Sequence, residues 1–366
     1  MSTPQTTDTT APAPARLVSS PFFFAHERRG DQLSALGLAA RERLRTVGAR
    51  AWELLYFHLE ARTGSEAAAA GFGPAEREQA LAAGLLVDAD ATATEDMFRW
   101  EEHRWSRAAY LLYSQQDLPY VEPVGRGEKL TALSDFRRGQ IAGFQSARGY
   151  PERFRIDPVH EIALPTPQEP ITYSLDSMLG RRSVRKFADG PVTAETLGAV
   201  LYHATANVRM AEESKASGDP YFLLNSFYTW LHVYVVVQGV EGVPRGVYQY
   251  DAVRNTLLAT GGEPTDEEVA ATIQGQNWIG GGGVSLFVTV QWDRYQWLYR
   301  HSRAYLNLLI QMGEFAQEVL QAAYQLGLAG WLTPAIAESR AASLLGLDAV
   351  ASDADAMYYL KLGYTK

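Results

Sequence analysis

Apolar positions recur at helical spacing in three early segments. These are Leu33–Gly48 (LSALGLAARERLRTVG), Ala49–Arg62 (ARAWELLYFHLEAR) and Pro74–Ala89 (PAEREQALAAGLLVDA). In the last, Pro74 suits a first helical turn and Gly84 a C-terminal stop. A helix ending in Gly and followed by a short apolar run gives residues 17–90 the reading of a winged-helix-like module. The apolar stripes fit any small helical bundle equally well. Residues 1–16, dominated by Ala, Pro and Thr, read as a disordered lead. Residues 91–170 begin with an aromatic, charged helical pattern, Met97–Asp117, and end in Asp157–Pro170, an extended connector with four prolines. It is either a linker or an arm lying on another surface. From residue 171 onward, helices are predicted over Ser174–Phe187 and Pro191–Ala204, the second with Thr193 as N-cap. Strands are predicted at His232–Val237, Gly246–Asp251, Val284–Trp292 and Ala356–Tyr364. The long pattern Arg303–Leu328 places Leu308, Leu309, Met312, Phe315, Ala316, Val319, Leu320 and Ala323 on one broad face, as a central core helix requires. Strands and helices mixed without βαβ alternation predict an α+β fold.

Composition narrows the chemistry. The 366 residues carry 33 Lys+Arg against 42 Asp+Glu, a formal net charge of −9, which argues against a nucleic-acid binder. With no cysteine, thiolate metal sites, disulfides and dithiol redox chemistry are excluded, so a redox function must borrow a cofactor. The first residues hold no early basic cluster and no apolar h-region, so no export signal is read there. Pro220–Val240 lacks Asp, Glu, Lys and Arg, but its polar residues and the run VYVVV favour a buried strand after a loop over a membrane span. The expectation is a soluble, cytoplasmic protein without membrane contact. There is no P-loop, GxSxG or HExxH, and no two of the seven histidines stand three or four residues apart, so no metal site is read. The run Gly280–Gly283 precedes a strand, whereas a dinucleotide fingerprint follows one, and it reads as a flexible turn.

One short segment does carry chemistry. Arg181, Arg182, Ser183, Val184, Arg185 and Lys186 leave a helix end with guanidinium and hydroxyl donors suited to a phosphate, and with a cation for the electron-rich edge of a reduced flavin. A solvated basic patch is the competing reading. RRSVRKF followed by PVTAETLGAVLYHA closely resembles the opening of the FMN-dependent nitroreductase superfamily. GVPRGVYQYDAVRNTLL, together with Arg303-x-Tyr305, the core helix, its glycine turn and LLG, resembles the SagB-type dehydrogenases, which oxidise thiazolines and oxazolines in ribosomally made peptides. The resemblance spans about Ser174 to Gly363. It implies a nitroreductase-like fold over 171–366, an antiparallel-rich sheet wrapped by helices, binding FMN as a homodimer.

Residue by residue, the resemblance puts Arg181 and Ser183 on the FMN phosphate and ribityl chain and Arg185 beneath the isoalloxazine edge. Arg182 shares that role or faces solvent. Asn225 and Ser226 stand where the family has a Pro-Ser-x-Gly turn against the ring. Ala329 and Gly330 match the turn whose backbone N–H approaches flavin N5, although Gly327 and Gly330 also suit a helix C-cap. Arg303 and Tyr305 match the Arg-x-Tyr pair before the core helix, in a structural or a catalytic role. The family's Lys-Tyr pair is altered: no lysine lies between Lys215 and Lys361, and the segment reads Tyr299, Arg300, His301. An arginine stays protonated and is a poor general base, so proton transfer falls to Tyr299 first and His301 second, with Arg300 stabilising developing negative charge.

The function this implies is dehydrogenation of azoline rings in a peptide, with electrons passed to dioxygen. The N-terminal part would recruit a leader peptide, and a cyclodehydratase is a possible companion. Two alternatives stand beside it. One is an NAD(P)H-driven reductase of a dehydroamino acid, nitro group or quinone; the other is a catalytically degenerate flavoprotein scaffold of a biosynthetic complex.

Overall fold

The computed structural model describes residues 16–19, 28–29, 32–35, 45–90, 129–224, 228–300, 303–347 and 354–366. The chain divides into two compact units, Met1–Tyr120 and Val121–Lys366.

In the first unit the strand Arg16–Ser19 lies antiparallel between Arg62–Thr63 and Leu86–Asp88. Helices Ala49–Phe57, Gly64–Ala69 and Pro74–Ala82 close over it on a small core that includes Leu17, Leu54, Leu55, Phe72 and Leu86. Thr63 starts the second helix with a reciprocal cap. Its hydroxyl accepts from the Glu66 N–H at 3.3 Å, and the Glu66 carboxylate accepts from the Thr63 N–H at 2.7 Å. Pro74 opens the third helix, and Gly84 takes the left-handed conformation just beyond its end (φ 67°). The two described ends of the helix predicted over Leu33–Gly48 are strands instead. Gln32–Ala35 pairs with Arg45–Val47 as short antiparallel strands, in a sequence that Gly37 and Gly48 weaken as a helix. The helical pattern Met97–Asp117 lies outside the described residues.

The second unit is built on a seven-stranded antiparallel sheet. In chain order its strands are β1 (Glu161–Ala163), β2 (Leu231–Gly239), β3 (Gly246–Asp251), β4 (Thr256–Ala259), β5 (Gly283–Gln291), β6 (Ala329–Thr333) and β7 (Ala354–Gly363). Across the sheet they run β6-β7-β5-β2-β3-β4-β1. Among the described residues eight α-helices accompany the sheet: α1 (Lys129–Ala147), α2 (Leu175–Gly180), α3 (Ala194–Ala204), α4 (Ala206–Ala216), α5 (Asp266–Thr272), α6 (Trp292–Leu298), α7 (Ala304–Gln325) and α8 (Glu338–Leu345). β2 and β5 are covered on both faces, which explains their nearly unbroken apolar runs. Val233, Val235 and Val237 point into the core under α3 and α7, while Tyr234 and Val236 point into a second core with Phe287, Tyr359 and residues of α5 and α8. The central helix keeps the predicted face except at Leu309, which is 40% exposed. Among the described residues no helix is long and apolar enough to cross a membrane.

Two expectations change here. The segment read as a separate connector up to residue 170 belongs largely to this unit. Gln291 accepts from the Phe154 N–H at 3.0 Å and donates to the Glu152 carbonyl at 2.9 Å. Gln249 does the same for the Ile156 N–H (3.0 Å) and the Phe154 carbonyl (3.3 Å), so two side-chain amides act as the strand edge that 152–156 lacks. Three residues of the same segment then join the sheet as β1. The glycines 280–283 form a backbone crossing rather than a flexible turn. A Cβ on Gly282 would lie 2.1 Å from the Gly190 carbonyl oxygen, and one on Gly283 would lie 2.2 Å from that of Leu362.

Candidate functional site

The basic arm 181–187 follows α2, whose start is capped by Ser174 accepting from the Ser177 N–H at 3.0 Å. At the helix end Gly180 leaves room for the Tyr324 hydroxyl, which would stand 2.7 Å from a Cβ there. The arm then runs extended beside the edge strand β6. Ser183 pairs in parallel with Gly330, and the Val184 N–H donates to the Gly330 carbonyl at 3.1 Å. Phe187 pairs with Thr365, and the Ala188 N–H donates to the Tyr364 carbonyl at 2.8 Å. The structure thus brings together two parts of the sequence prediction nearly 150 residues apart, the Arg181–Arg185 arm and Ala329–Gly330. Gly330 is needed there for packing as well, since a Cβ would lie 2.3 Å from Leu320 Cδ2.

The arm's donors differ in availability. Among the described residues Arg181 Nε and Nη1 are buried without an acceptor, a costly state for a guanidinium that an anionic ligand would relieve. Arg182 is exposed and turns one nitrogen back, Nη1 donating to the carbonyls of Leu179 (2.6 Å) and Arg181 (2.9 Å). Ser183, Arg185 and Lys186 are exposed.

The residues read as acid–base candidates sit elsewhere in the packing. Tyr299 joins an aromatic cluster, its ring centroid 4.9 Å from Tyr295 and 5.6 Å from Trp230. Arg300 lays its guanidinium over Phe144 of α1 at 3.7 Å and donates from Nε to the Trp297 carbonyl at 3.1 Å. Arg303 occupies the N-cap of α7, and Tyr305 stacks on Trp292 at 6.2 Å with planes 13° apart. Asn225, Ser226 and His301 lie outside the described residues.

Sequence reading missed two buried polar clusters. In the first, Arg294 is fully buried. It donates to the carbonyls of Pro151 (3.0 Å) and Thr229 (2.6 Å) and pairs with Glu212 at 2.7 Å. Arg153 donates to the Thr229 and Leu231 carbonyls (2.9 and 2.6 Å), its guanidinium pushed down to about 10 by burial and by Arg294. Burial, with these arginines nearby, holds His232 neutral, and it bonds Gln291 at 3.0 Å. In the second, Lys361 is fully buried and donates to Gln238 Oε1 at 2.6 Å and to the Gly281 carbonyl at 3.3 Å. Gln238 also accepts from the Ser285 hydroxyl (2.7 Å) and donates to Asp266 (2.9 Å), which pairs with Arg245 at 2.6 Å. Burial lowers the Lys361 ammonium to about 7, with Asp266 opposing and Arg245 adding to the shift. The available signal was a polar residue within each apolar strand: Gln238, Gln249, Ser285, Gln291 and Lys361.

Residues 178–364 match the nitroreductase family, and the chain belongs to that family. Over 274 residues it is 23% identical to the trifolitoxin operon protein TfxC of Rhizobium leguminosarum bv. trifolii, covering 70% of this chain and 73% of TfxC. The crystal structure of a nitroreductase-type protein of Anabaena variabilis superposes with a TM-score of 0.43 at 20% identity over 68% of this chain, which spans half (50%) of that protein. The E. coli microcin synthetase McbBCD complex with truncated pro-MccB17 bound gives a TM-score of 0.38 at 14% identity, covering 68% of this chain and 99% of the matched one.

Proposed function

We propose that the second unit binds FMN along the Arg181–Arg185 arm and acts as an oxidoreductase on a ribosomally made peptide, dehydrogenating azoline rings. The observation that carries this reading is Arg181, with two buried donors lacking an acceptor beside an arm paired to Gly330. A phosphate supplies the acceptors a guanidinium needs in that geometry. Arg181 and Ser183 would hold the phosphate and ribityl chain, Arg185 the ring edge, and the Ala329–Gly330 backbone the ring's reactive side. FMN, when bound, supplies the two-electron oxidation or reduction. The chain's own residues bind and orient it and move the proton. Tyr299 and His301 are the proposed proton carriers, because a guanidinium is a poor general base and that of Arg300 lies over Phe144. Support for a peptide substrate comes from the resemblance of the motifs to SagB-type dehydrogenases and from similarity to TfxC, a protein of a toxin operon. The first unit is assigned to leader-peptide recognition on the same grounds.

A homodimer belongs to this proposal. Leu175, Met178 and Leu179 of α2 and Ile310 of α7 are each more than half exposed, an apolar surface that a second copy would cover. The absence of lysine between Lys215 and Lys361 favours a second reading, an NAD(P)H-driven reductase on the same flavin site.

The test is flavin binding by Arg181→Met. Loss of a charge-assisted pair of bonds should raise the FMN Kd roughly 10- to 100-fold, read by quenching of flavin fluorescence. Unchanged affinity removes the basis of the assignment. With FMN bound, consumption of dioxygen in the presence of an azoline peptide supports the dehydrogenase, and nicotinamide-dependent turnover without it supports the reductase.

A further inference from the structure

α7 carries a row of hydrogen-bond acceptors that the flavin reading does not use. Gln311, Glu314, Glu318 and Gln321 follow one another at spacings of three, four and three residues, which places them on one flank of the helix. This flank lies between the buried face and the exposed apolar positions Ile310 and Tyr324.

Among the described residues, three observations mark it as incomplete. Gln321 is only 8% exposed, yet its amide oxygen has no donor, and the buried amide oxygen of Gln311 has none either. Glu314 and Glu318 form no ion pair among the described residues. Glu318 is half-buried and accepts only the Tyr228 hydroxyl, at 3.2 Å. Burial pushes the Glu318 carboxyl up, and the charge of Glu314 adds to the push. The flank therefore offers acceptors and negative charge that lack donors and a cation.

We propose that this flank of α7 is a recognition site for a cationic peptide segment, whose lysine or arginine side chains take Glu314 and Glu318 as counter-ions and Gln311 and Gln321 as acceptors. Length chooses a peptide over a single metal ion. Ten residues of helix rise about 15 Å, far beyond the span of one coordination sphere but close to that of four or five extended residues. The inference deepens the reading above by naming the charge of the substrate, and it rests on that reading only in taking the ligand to be a peptide.

The probe is fluorescein-labelled hexalysine, with labelled hexaglutamate as the opposite charge. Binding to the full chain is read by anisotropy in 20 and 150 mM salt. Glu318→Gln and Glu314→Gln should each weaken hexalysine at least fivefold, while Glu213→Gln, an exposed carboxylate on α4, should change it less than twofold. Glu314 is exposed and makes no hydrogen bond or ion pair among the described residues, so its variant decides the matter even where Glu318→Gln disturbs Tyr228. Equal losses in all three variants would mean general attraction to an acidic protein, and no binding at 20 mM salt would mean no site; either result overturns the proposal. So does a change in sedimentation without a change in hexalysine binding, which would assign the flank to a second copy. Calcium or magnesium displacing the peptide at micromolar concentration overturns it in favour of an ion. Flavin absorbance of each variant is recorded alongside: its loss bears on the FMN reading, and the anisotropy bears on this one.

Discussion

Both faces of the central sheet pack against a hydrophobic core, but they differ in the polar chemistry they hold. Under α3 and α7 the packing is aliphatic and aromatic, with Val233, Val235, Leu286, Val288 and Leu308 in contact and no charged side chain among them. The other face holds His232, Gln249 and Gln291 toward one end and Lys361, Gln238 and Ser285 toward the other, each bonded to a named partner. Apolar packing asks mainly for volume, so it tolerates exchange among similar side chains. A buried polar network asks for identity, because removing one member leaves its partner desolvated and unpaired. The polar face is also the one that fixes chain segments without a ladder of their own, the glycine crossing and residues 152–156.

The largest test of this contrast uses pH. Burial pushes the Lys361 ammonium down to about 7 in the folded chain, below the ordinary lysine value of 10.5 that holds in the unfolded chain. Between those values the unfolded chain holds a proton that the folded chain has released, so stability should rise with pH across that window, by at most about 1.4 kcal/mol per unit from this group. The deficit is full below pH 7 and gone above 10.5. Subtracting the pH dependence of Lys361→Met from that of the unmodified chain, both by urea unfolding, isolates the slope. Parallel curves would mean that the ammonium is not desolvated.

Next in size is Arg294→Met, which strands Glu212 and two carbonyls and should cost about 3–5 kcal/mol in the same assay. A smaller but sharper comparison sets one residue against another on the same strand. Gln291→Leu unpairs His232, the Phe154 N–H and the Glu152 carbonyl, at roughly 1–3 kcal/mol for each group left without water. Leu286→Met, on the apolar face, should cost less than about 1.5 kcal/mol. Equal costs would erase the distinction between the faces.

How much of this could be read from the sequence depends on where each signal's partner lies. The core helix, the capped helix starts and the Arg181–Arg185 arm were legible because their patterns are local: helical periodicity, Thr193, a run of basic residues. The polar face was not. Gln291 finds its partner at Phe154 and Lys361 finds Gln238, both more than a hundred residues away, and nothing near either residue announces the pairing. Distance also hid the position of Arg300, since its aromatic partner sits on α1. At Gly280–Gly283 the composition was plain but its use was not, because four glycines serve a loose turn and a tight crossing equally well. Leu33–Gly48 failed for the reverse reason. Its local stripe was helical, and pairing between Gln32–Ala35 and Arg45–Val47 overrode it.

β7 is the last strand in chain order, yet it stands between β5 and β6, and the residues just after it pair with Phe187 and Ala188. During synthesis the basic arm leaves the ribosome well over a hundred residues before the strand and tail that seat it. Until those arrive, β6 has no sheet neighbour and the arm has no Tyr364 or Thr365 to pair with. The proposed anion site therefore forms only once β7 and the residues after it are in place, however early the helices form. A chain lacking β7 would carry the RRSVRKF motif without the strand and tail that seat it, so binding of the proposed anionic cofactor would report on the pairing of segments far apart in sequence.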